Sequence, residues 1–328
     1  MDKLVRSTDG NTSSQENSSR YDRICSNKIF LCAGAMLSCF LWGSAFPLIK
    51  IGYREFSIGS EDIAAQILFA GIRFFLAGIS VVIIGSIQAR RLILPKKTSV
   101  PKVFKLSFFQ TVMQYFFFYI GLAHTSGVRA SIVQGTNVFA ALLVAGLIYK
   151  LEKLSMKKMI GCTIGFAGVV LVNIAGSGFG GGSFFKGDLL IILSTVAYAF
   201  SSVLLKKYTK DESPAVLSGY QFVVGGAALA VCGLLMGGRI AQASTAGVAS
   251  LLYLVFVSAA AYSVWGILMK HNPVSKVAVF GFMTPFFGVV TSLLLLNDAA
   301  SFGIVHILSL VLVCAGILTV NSSSSKNE

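Results

Sequence analysis

The sequence carries little charge. Only 12% of its 328 residues are Asp, Glu, Lys or Arg, whereas 55% are hydrophobic. An ordinary soluble domain carries about 25% charged and about 45–50% apolar residues, so this chain lacks the charges needed to cover a soluble globule of its size. Disorder of the whole chain is excluded as well, because disordered proteins combine low hydrophobicity with high charge. The composition indicates a surface that faces lipid.

Acidic residues and metal-binding patterns are also scarce. The 13 carboxylates fall in the amino-terminal tail, in loops or at the ends of apolar segments, which disfavours a buried proton relay and general acid–base catalysis. The six cysteines form no CxxC pattern, and HExxH and Walker A motifs are absent, so we expect no metal ion, no cofactor and no enzymatic activity. A GxGxxG match at 176–181 lies between two apolar segments and is interpreted as a loop rather than a dinucleotide site.

The few charges are distributed unevenly. The net charge is +14, from 27 Lys and Arg against 13 Asp and Glu. If the amino terminus is cytoplasmic, 21 of the Lys and Arg residues lie on the cytoplasmic side of the predicted spans and four on the opposite side. This bias follows the positive-inside rule and predicts a cell-membrane protein with both termini in the cytoplasm. Nucleic acid is not an expected partner, because basic stripes with interleaved aromatic residues are absent outside the apolar segments.

The apolar residues are concentrated in ten segments of about 20 residues each, the length that crosses a hydrocarbon core. We predict that all ten are helices, because lipid offers no partner to unpaired backbone groups. The polar residues 1–28 and 322–328 are predicted to be cytoplasmic tails, the first of them disordered. The predicted spans are 29–51, 64–87, 103–124, 127–149, 156–175, 188–207, 214–237, 246–270, 274–296 and 302–321.

The two halves of the chain resemble each other. The sequence GIRFFLAG at 71–78 matches GYQFVVGG at 219–226, an offset of 148 residues that pairs Arg73 with Gln221. Such internal similarity is the signature of a duplicated unit. Residues 29–175 and 188–321 are therefore predicted to be two repeats of five helices each.

The repeats are predicted to face opposite ways across the bilayer, because each contains an odd number of spans. The offset of 148 also pairs Phe74 with Phe222, and an offset of 147 pairs Tyr115 with Tyr262. Inverted repeats place a binding site near the midplane and supply two alternating conformations. Gene duplication without a transport role is the alternative explanation.

Several motifs together resemble the EamA-type transporters of the drug/metabolite transporter superfamily. That resemblance implies ten helices in two repeats and the export of small metabolites such as amino acids. The competing functions are a sugar-nucleotide or phosphate antiporter of the same superfamily, an intramembrane enzyme and a non-transporting receptor. The motifs are LWGSAFPLIK at 41–50, GIRFFLAG at 71–78, YIGLAHTSGVRAS at 119–131, Glu152, GDLLIILSTVAYAFSSVLLKK at 187–207, and TPFFGVV at 284–290.

The sequence departs from the family pattern at three places. Val138 stands where the family usually has proline midway along the fourth span, although its repeat partner Pro285 is retained. Asp298 replaces the usual glutamate after the ninth span, and Tyr198 stands where tryptophan is often found. These differences affect the shape of the pocket, and hence the solute, rather than the fold.

One charged residue, Arg73, is predicted to lie deep inside a span. A lone arginine at that depth must face the protein interior or a water-filled cavity. It could bind a solute carboxylate through its bidentate fork, or it could be a structural residue whose hydrogen bonds go to helix carbonyls. The sequence leaves both roles open.

Amide, hydroxyl and aromatic residues accompany Arg73 in the spans, and such a set suits a small amphipathic solute. Interhelical hydrogen bonding is the alternative role for each of them. Pro47 and Pro285 lie inside predicted helices and are candidates for breaks or gating positions. We expect a solute and the lipid bilayer as partners, and a monomer is compatible with the sequence. The candidate cavity residues are Trp42, Phe46, Arg73, Gln110, Gln114, Tyr115, Gln134, Asn137, Tyr198, Ser201, Tyr262, Trp265 and Thr284.

Overall fold

The structure, a computed structural model, is helical and contains no strand among the residues it describes. The predicted tails, apart from residues 27, 28 and 322, lie outside the described residues, as do the glycine-rich stretch 176–181, Glu152 and Asp298. The residues described are 27–150, 154–175, 184–240, 244–272, 277, 279–296 and 302–322.

The described helices follow the ten predicted apolar segments, which confirms the predicted all-α membrane fold. Seven are long and apolar enough to cross a membrane, and two shorter ones are apolar. The helix predicted at 274–296 begins as an α-helix at residue 283, and the helix predicted at 103–124 begins at residue 97. The helices are α1 Lys28–Glu55, α2 Ile63–Ala89, α3 Lys97–Ala123, α4 Gly127–Ile148, α5 Met156–Ala175, α6 Leu189–Tyr208, α7 Pro214–Leu235, α8 Thr245–His271, α9 Met283–Leu295 and α10 Ile304–Ser322.

Polar residues in the connections set where several helices begin. The side chain of Asn27 accepts a hydrogen bond from the backbone at the start of α1, and Asp62 does the same for α2. Ser126 and Ser244 cap α4 and α8 in the same way. Each cap satisfies one of the backbone N–H groups that a helix leaves unpaired at its start. Pro214, which needs no such partner, occupies the first turn of α7.

The helices α2 and α7 pack against each other through equivalent glycines of the two repeats. A Cβ on Gly78 would stand 2.5 Å from the backbone nitrogen of Val223. A Cβ on Gly226 would overlap the backbone nitrogen of Phe75. The offset of 148 residues relates Gly78 to Gly226 and Phe75 to Val223, so the same contact occurs twice. Equivalent helices that meet in this antiparallel way are related by a two-fold pseudo-symmetry axis, as inverted repeats require.

The helices α4 and α9 also meet near this axis, and each departs from regular α-helical geometry there. α4 is interrupted at Gly135 and Thr136, between its helical parts Gly127–Gln134 and Asn137–Leu143. α9 is preceded by a 3₁₀ turn at Val279–Phe282. Because the offset of 147 relates residue 135 to residue 282, the two irregular points are equivalent in the repeats. They also lie side by side, since a Cβ on Gly135 would stand 3.5 Å from the ring of Pro285.

The two predicted break positions behave differently. Pro285 is the third residue of α9 and lies directly after the 3₁₀ turn. Pro47 lies inside α1, which is helical without interruption from Lys28 to Glu55. The interruption in α4 falls at Gly135 and Thr136, before Val138, and therefore needs no proline.

Buried and exposed side chains divide as expected for a bundle in lipid. Large aromatic residues such as Phe69, Phe74 and Phe222 are fully buried at the centre. Large apolar residues such as Leu235 and Leu294 are exposed on the outside. An apolar exterior of this kind is matched by a hydrocarbon environment rather than by water.

Candidate functional site

The pseudo-symmetry axis passes through a group of aromatic side chains. Tyr115 on α3 and Tyr262 on α8 are equivalent residues of the two repeats, and their hydroxyl oxygens lie 3.1 Å apart. Phe74 on α2 and Phe222 on α7 are also equivalent, and their ring centroids lie 5.3 Å apart. A residue can touch its own repeat partner only near the axis. The contacts therefore place these four rings at the centre of the bundle, between the halves.

Two tryptophans extend this group towards α1 and α8. The ring of Trp42 lies 5.4 Å from that of Tyr262 and 5.1 Å from that of Trp265, and both tryptophans are half-buried. Tyr115 stacks on Phe74 at a centroid distance of 3.8 Å. We call Trp42, Phe74, Tyr115, Phe222, Tyr262 and Trp265 the axial cluster. Four of them, Trp42, Tyr115, Tyr262 and Trp265, are candidate residues that the sequence had placed on three separate helices.

Amide groups of α3 border the axial cluster. Gln110 lies in a π-helical stretch, Ser107–Met113, and its Nε2 donates to the hydroxyl of Tyr262 at 3.4 Å. The Oε1 atoms of Gln110 and Gln114 are buried and have no hydrogen-bond partner among the described residues. On α7, both side-chain amide atoms of the fully buried Gln221 also lack a partner in the part of the chain that the structure describes. Such unsatisfied groups are rare in native proteins and require an explanation, such as a bound molecule. π-Helical stretches, too, are frequent at functional sites.

Arg73 directly precedes Phe74 of the axial cluster on α2 and is only 4% exposed. Its Nε donates to the carbonyl of Leu254 at 3.2 Å, and its Nη2 donates to Ser258 Oγ at 3.1 Å. Its Nη1 donates to the hydroxyl of Tyr119 at 2.6 Å. The guanidinium also lies over the ring of Phe74, 4.9 Å from the centroid. Arg73 therefore joins α2 to α3 of its own repeat and to α8 of the other repeat.

The remaining candidates lie around this centre in smaller groups. Gln134 Oε1 accepts from Ser194 on α6 at 3.2 Å. Ser201 donates to the backbone carbonyl of Tyr198. Tyr198 lies close enough to Tyr262 to interact electrostatically.

Three candidates lie beyond those groups. Thr284 hydrogen-bonds with Cys39, and the rings of Phe46 and Phe118 meet at 5.6 Å. Asn137 begins the second half of α4 and is half-buried. These residues are not part of the axial cluster.

An ion pair at the end of the bundle where α1 ends and α2 begins, here called the distal end, was missed by sequence reasoning. Arg129 on α4 pairs with Asp188, which is fully buried and accepts a second hydrogen bond from Thr125 at 2.9 Å. The sequence showed Arg129 only as a cation on the non-cytoplasmic side, near the start of a span, and Asp188 only as an acidic residue at a span end. Their 59-residue separation and their different repeats gave no signal of contact.

A more exposed network lies at the same end. Lys186 Nζ is 3.0 Å from both carboxylate oxygens of Glu61, and the imidazole of His124 lies 3.8 Å from Glu61. The hydrogen bond from Lys186 holds the pKa of Glu61 below its usual value. Burial of the imidazole lowers the pKa of His124. Among the described residues, no three His, Cys, Asp or Glu side chains are placed to hold a metal ion.

Taken together, the centre of the bundle offers aromatic faces, amide groups, hydroxyls and one cation, drawn from both repeats. Aromatic faces suit the apolar part of a small solute, whereas the amides and the guanidinium suit polar groups. The carboxylates among the described residues lie at helix ends or in connections rather than in this centre.

Comparison with known proteins agrees with this arrangement. The sequence profile of the EamA-like transporter family matches residues 29–174 and 185–322. The uncharacterized transporter YvbV of Bacillus subtilis (strain 168) is 29% identical over 300 residues, which cover 90% of this chain and 93% of YvbV. The probable amino-acid metabolite efflux pump of Escherichia coli (strain K12) is 24% identical over 277 residues, which cover 80% of this chain and 86% of the pump. One solved crystal structure matches with a TM-score of 0.62 over 90% of this chain and 99% of that chain; its 19% identity supports likeness of fold alone.

Proposed function

This chain belongs to the EamA-like transporter family and is a multi-pass membrane transporter, and we propose that it exports small amphipathic solutes of the amino-acid class by alternating access. The observation that carries the proposal is the position of the axial cluster. Tyr115 contacts its repeat partner Tyr262, so the cluster lies where the two halves meet. In transporters built from inverted repeats, the solute site lies at that interface, near the bilayer midplane.

The composition of the cluster favours an amphipathic solute. Trp42 and Trp265 present large half-buried faces, and Gln110 and Gln114 hold amide oxygens that have no partner among the residues described. A solute with an apolar side chain and hydrogen-bonding groups would satisfy both kinds of surface. The name of the Escherichia coli relative, an amino-acid metabolite efflux pump, supports amino acids within this class.

The irregular points of α4 and α9 support movement around the site. The interruption at Gly135 and Thr136 and the 3₁₀ turn at Val279–Phe282 are equivalent and adjacent. Interrupted helices beside the solute site are typical of secondary transporters, in which one bundle rocks against the other. We propose that α4 and α9 change direction at these points when the site opens from one side to the other.

The direction of export rests on the predicted orientation, with both termini cytoplasmic and the chain in the cell membrane. A protease-cleavable tag on each terminus tests it in intact cells and in inverted vesicles. We expect both tags to be cleaved only in inverted vesicles. Cleavage of either tag in intact cells would contradict the orientation.

The transport proposal is tested with the purified full chain in proteoliposomes. Counterflow of each of the twenty amino acids is measured beside a sugar, a sugar nucleotide and inorganic phosphate. We expect counterflow of at least one amino acid above that of protein-free vesicles, with no dependence on a pH gradient, because the described centre contains no carboxylate. Flux confined to phosphate or the sugar nucleotide would contradict the amino-acid class, and a lack of flux for every solute would contradict transport.

A matched pair of variants connects the flux to the axial cluster. Trp265→Leu on α8 removes an aromatic face of the cluster, and we expect it to raise KM for the transported solute. Phe256→Leu on the same helix changes a residue that is 56% exposed on the outside of the bundle, and we expect KM to stay unchanged. Equal effects of the two substitutions would contradict the proposed location of the site.

A further inference from the structure

Arg73 holds a positive charge that has no counter-ion among the residues that the structure describes. An arginine guanidinium remains charged in proteins, and this one is almost fully buried in a membrane-spanning helix. Its hydrogen-bond partners, Tyr119, Ser258 and the carbonyl of Leu254, are all neutral. No carboxylate within the described part of the chain forms an ion pair with it. Charges in such surroundings are normally paired or functional.

The guanidinium also has N–H groups to spare. It has five, and the three hydrogen bonds use one on Nε, one on Nη1 and one on Nη2. Each terminal nitrogen therefore keeps one further N–H. A guanidinium binds a carboxylate through N–H groups of this kind, and two parallel ones contact both carboxylate oxygens.

The location of Arg73 connects it to the proposed solute site. Its partners Tyr119 and Ser258 lie four residues from Tyr115 and Tyr262 on the same two helices. Four residues of a helix rise about 6 Å, so the guanidinium lies about one small-molecule length from the axial pair of hydroxyls. We propose that Arg73 binds the carboxylate of the transported solute, and that the axial cluster contacts the remainder of that solute.

The other repeat shows why a single carboxylate is expected. The repeat partner of Arg73 is Gln221, a neutral amide, and the equivalents of Leu254 and Ser258 are Ser107 and Thr111. Ser107 and Thr111 hydrogen-bond with the backbone carbonyl of Gln221, at 3.1 Å and 3.3 Å. The equivalent position thus keeps its neighbours but has no charge. The site is cationic on the distal side of the axis and neutral on the other, which suits a monocarboxylate and not a dicarboxylate.

This inference rests on the proposed transport function, and its test separates the two. In the proteoliposome assay, each amino acid is compared with its own carboxyl amide, which keeps the side chain and the amino group but removes the negative charge. We expect the KM of the amide to exceed that of the transported acid by about tenfold or more, because a charge-assisted bidentate contact is lost. Equal KM values for acid and amide would overturn the role of Arg73 while leaving transport intact. A lack of flux for acids and amides alike would contradict both proposals.

Substitutions of Arg73 then assign the discrimination to this residue. Arg73→Gln should bring the ratio of the two KM values close to one. Arg73→Lys should give a ratio between one and the wild-type value, because lysine keeps the charge but loses the bidentate contact. Lys105→Gln, which removes an exposed charge on α3, is the control and should leave the ratio unchanged. A purely structural role would lower the amount of folded protein without altering the ratio. If Arg73→Gln does not fold, the proposal is tested on the KM ratio of the wild type and that of Arg73→Lys. An Arg73→Lys protein that transports more weakly but keeps the wild-type ratio would overturn the proposal.

Discussion

The Nη1 atom of Arg73 on α2 lies 2.6 Å from the hydroxyl of Tyr119 on α3, and both side chains are buried. This hydrogen bond joins the one charged side chain at the described centre of the bundle to the helix that carries Gln110 and Gln114. It also fixes the plane of the guanidinium, whose other partners belong to α8.

Tyr119→Phe should destabilise the protein, because it leaves an N–H of a buried cation without its acceptor. The expected loss is about 1–3 kcal/mol in the free energy of unfolding. Thermal unfolding of the detergent-purified protein measures it. Tyr149→Phe is the control, because the hydroxyl of Tyr149 makes no hydrogen bond with the described residues. Equal unfolding temperatures for the two variants would contradict the structural importance of the Arg73–Tyr119 bond.

Gly226→Ala should force α2 and α7 apart, because the added methyl group would overlap the backbone nitrogen of Phe75. Overpacking of this kind typically costs about 1–3 kcal/mol. Gly266→Ala on α8 is the matched control, since its added Cβ would meet only the ring of Pro214, at 3.8 Å. That variant should be neutral or stabilised by up to about 1 kcal/mol, the difference in helix propensity. A stable Gly226→Ala protein would contradict the close approach of the two helices.

Asp188→Asn should be strongly destabilising, because it leaves the guanidinium of Arg129 without its anionic partner. Removal of one member of a buried pair typically costs about 3–5 kcal/mol. A double-mutant cycle with Arg129→Gln measures the coupling, and we expect the double variant to be more stable than the sum of the single losses predicts. Asp211→Asn, which breaks the exposed contact with Lys102, should have little effect. Additive losses in the cycle would contradict direct pairing.

Mild acid should reduce stability through His124. Burial lowers the pKa of this imidazole in the folded protein below its ordinary value of 6.5. As the pH falls through 6.5 towards the lower folded pKa, the unfolded chain takes up a proton that the folded chain does not, so the free energy of unfolding decreases. Above pH 6.5 the contribution of the neutral His124 imidazole to the free energy of unfolding is fully retained. Unfolding temperatures between pH 8 and pH 5.5 measure the slope, which should be shallower in His124→Gln. An unchanged slope would assign the acid sensitivity to other groups.

The length and apolarity of the segments were sufficient to predict the helices, because a membrane requires both. The start of α3 was predicted too late for a physical reason. Lys97 and Lys102 are too polar for the hydrocarbon core, yet the backbone of this stretch continues the helix beyond it. Hydropathy reports the part of a helix that lies in lipid, and not where its hydrogen bonding begins.

Repeat comparison identified equivalent positions that the structure brings together. Tyr115 and Tyr262 were identified as equivalent from sequence alone, and the structure brings them into direct contact. The contact of Arg73 with Ser258 could not be predicted in this way, because it joins residues that are not repeat partners. Asp188 and Arg129 were missed for the same reason. Internal symmetry identifies equivalent positions, whereas the packing of non-equivalent helices follows only from three-dimensional structure.

The paired glycine contacts of α2 and α7 restrict how the protein can change shape. Backbones that approach this closely leave no gap for a lipid tail or a water molecule, so separating the helices would create a void with nothing to fill it. We therefore expect α2 and α7 to keep a fixed separation while the neighbouring helices tilt around them, and we call this pair of helices the spine. Spin labels at the exposed positions Gln88 and Ser213, at one end of this spine, should report the same separation with and without transported solute. A solute-dependent change in that separation would mean that the spine itself opens.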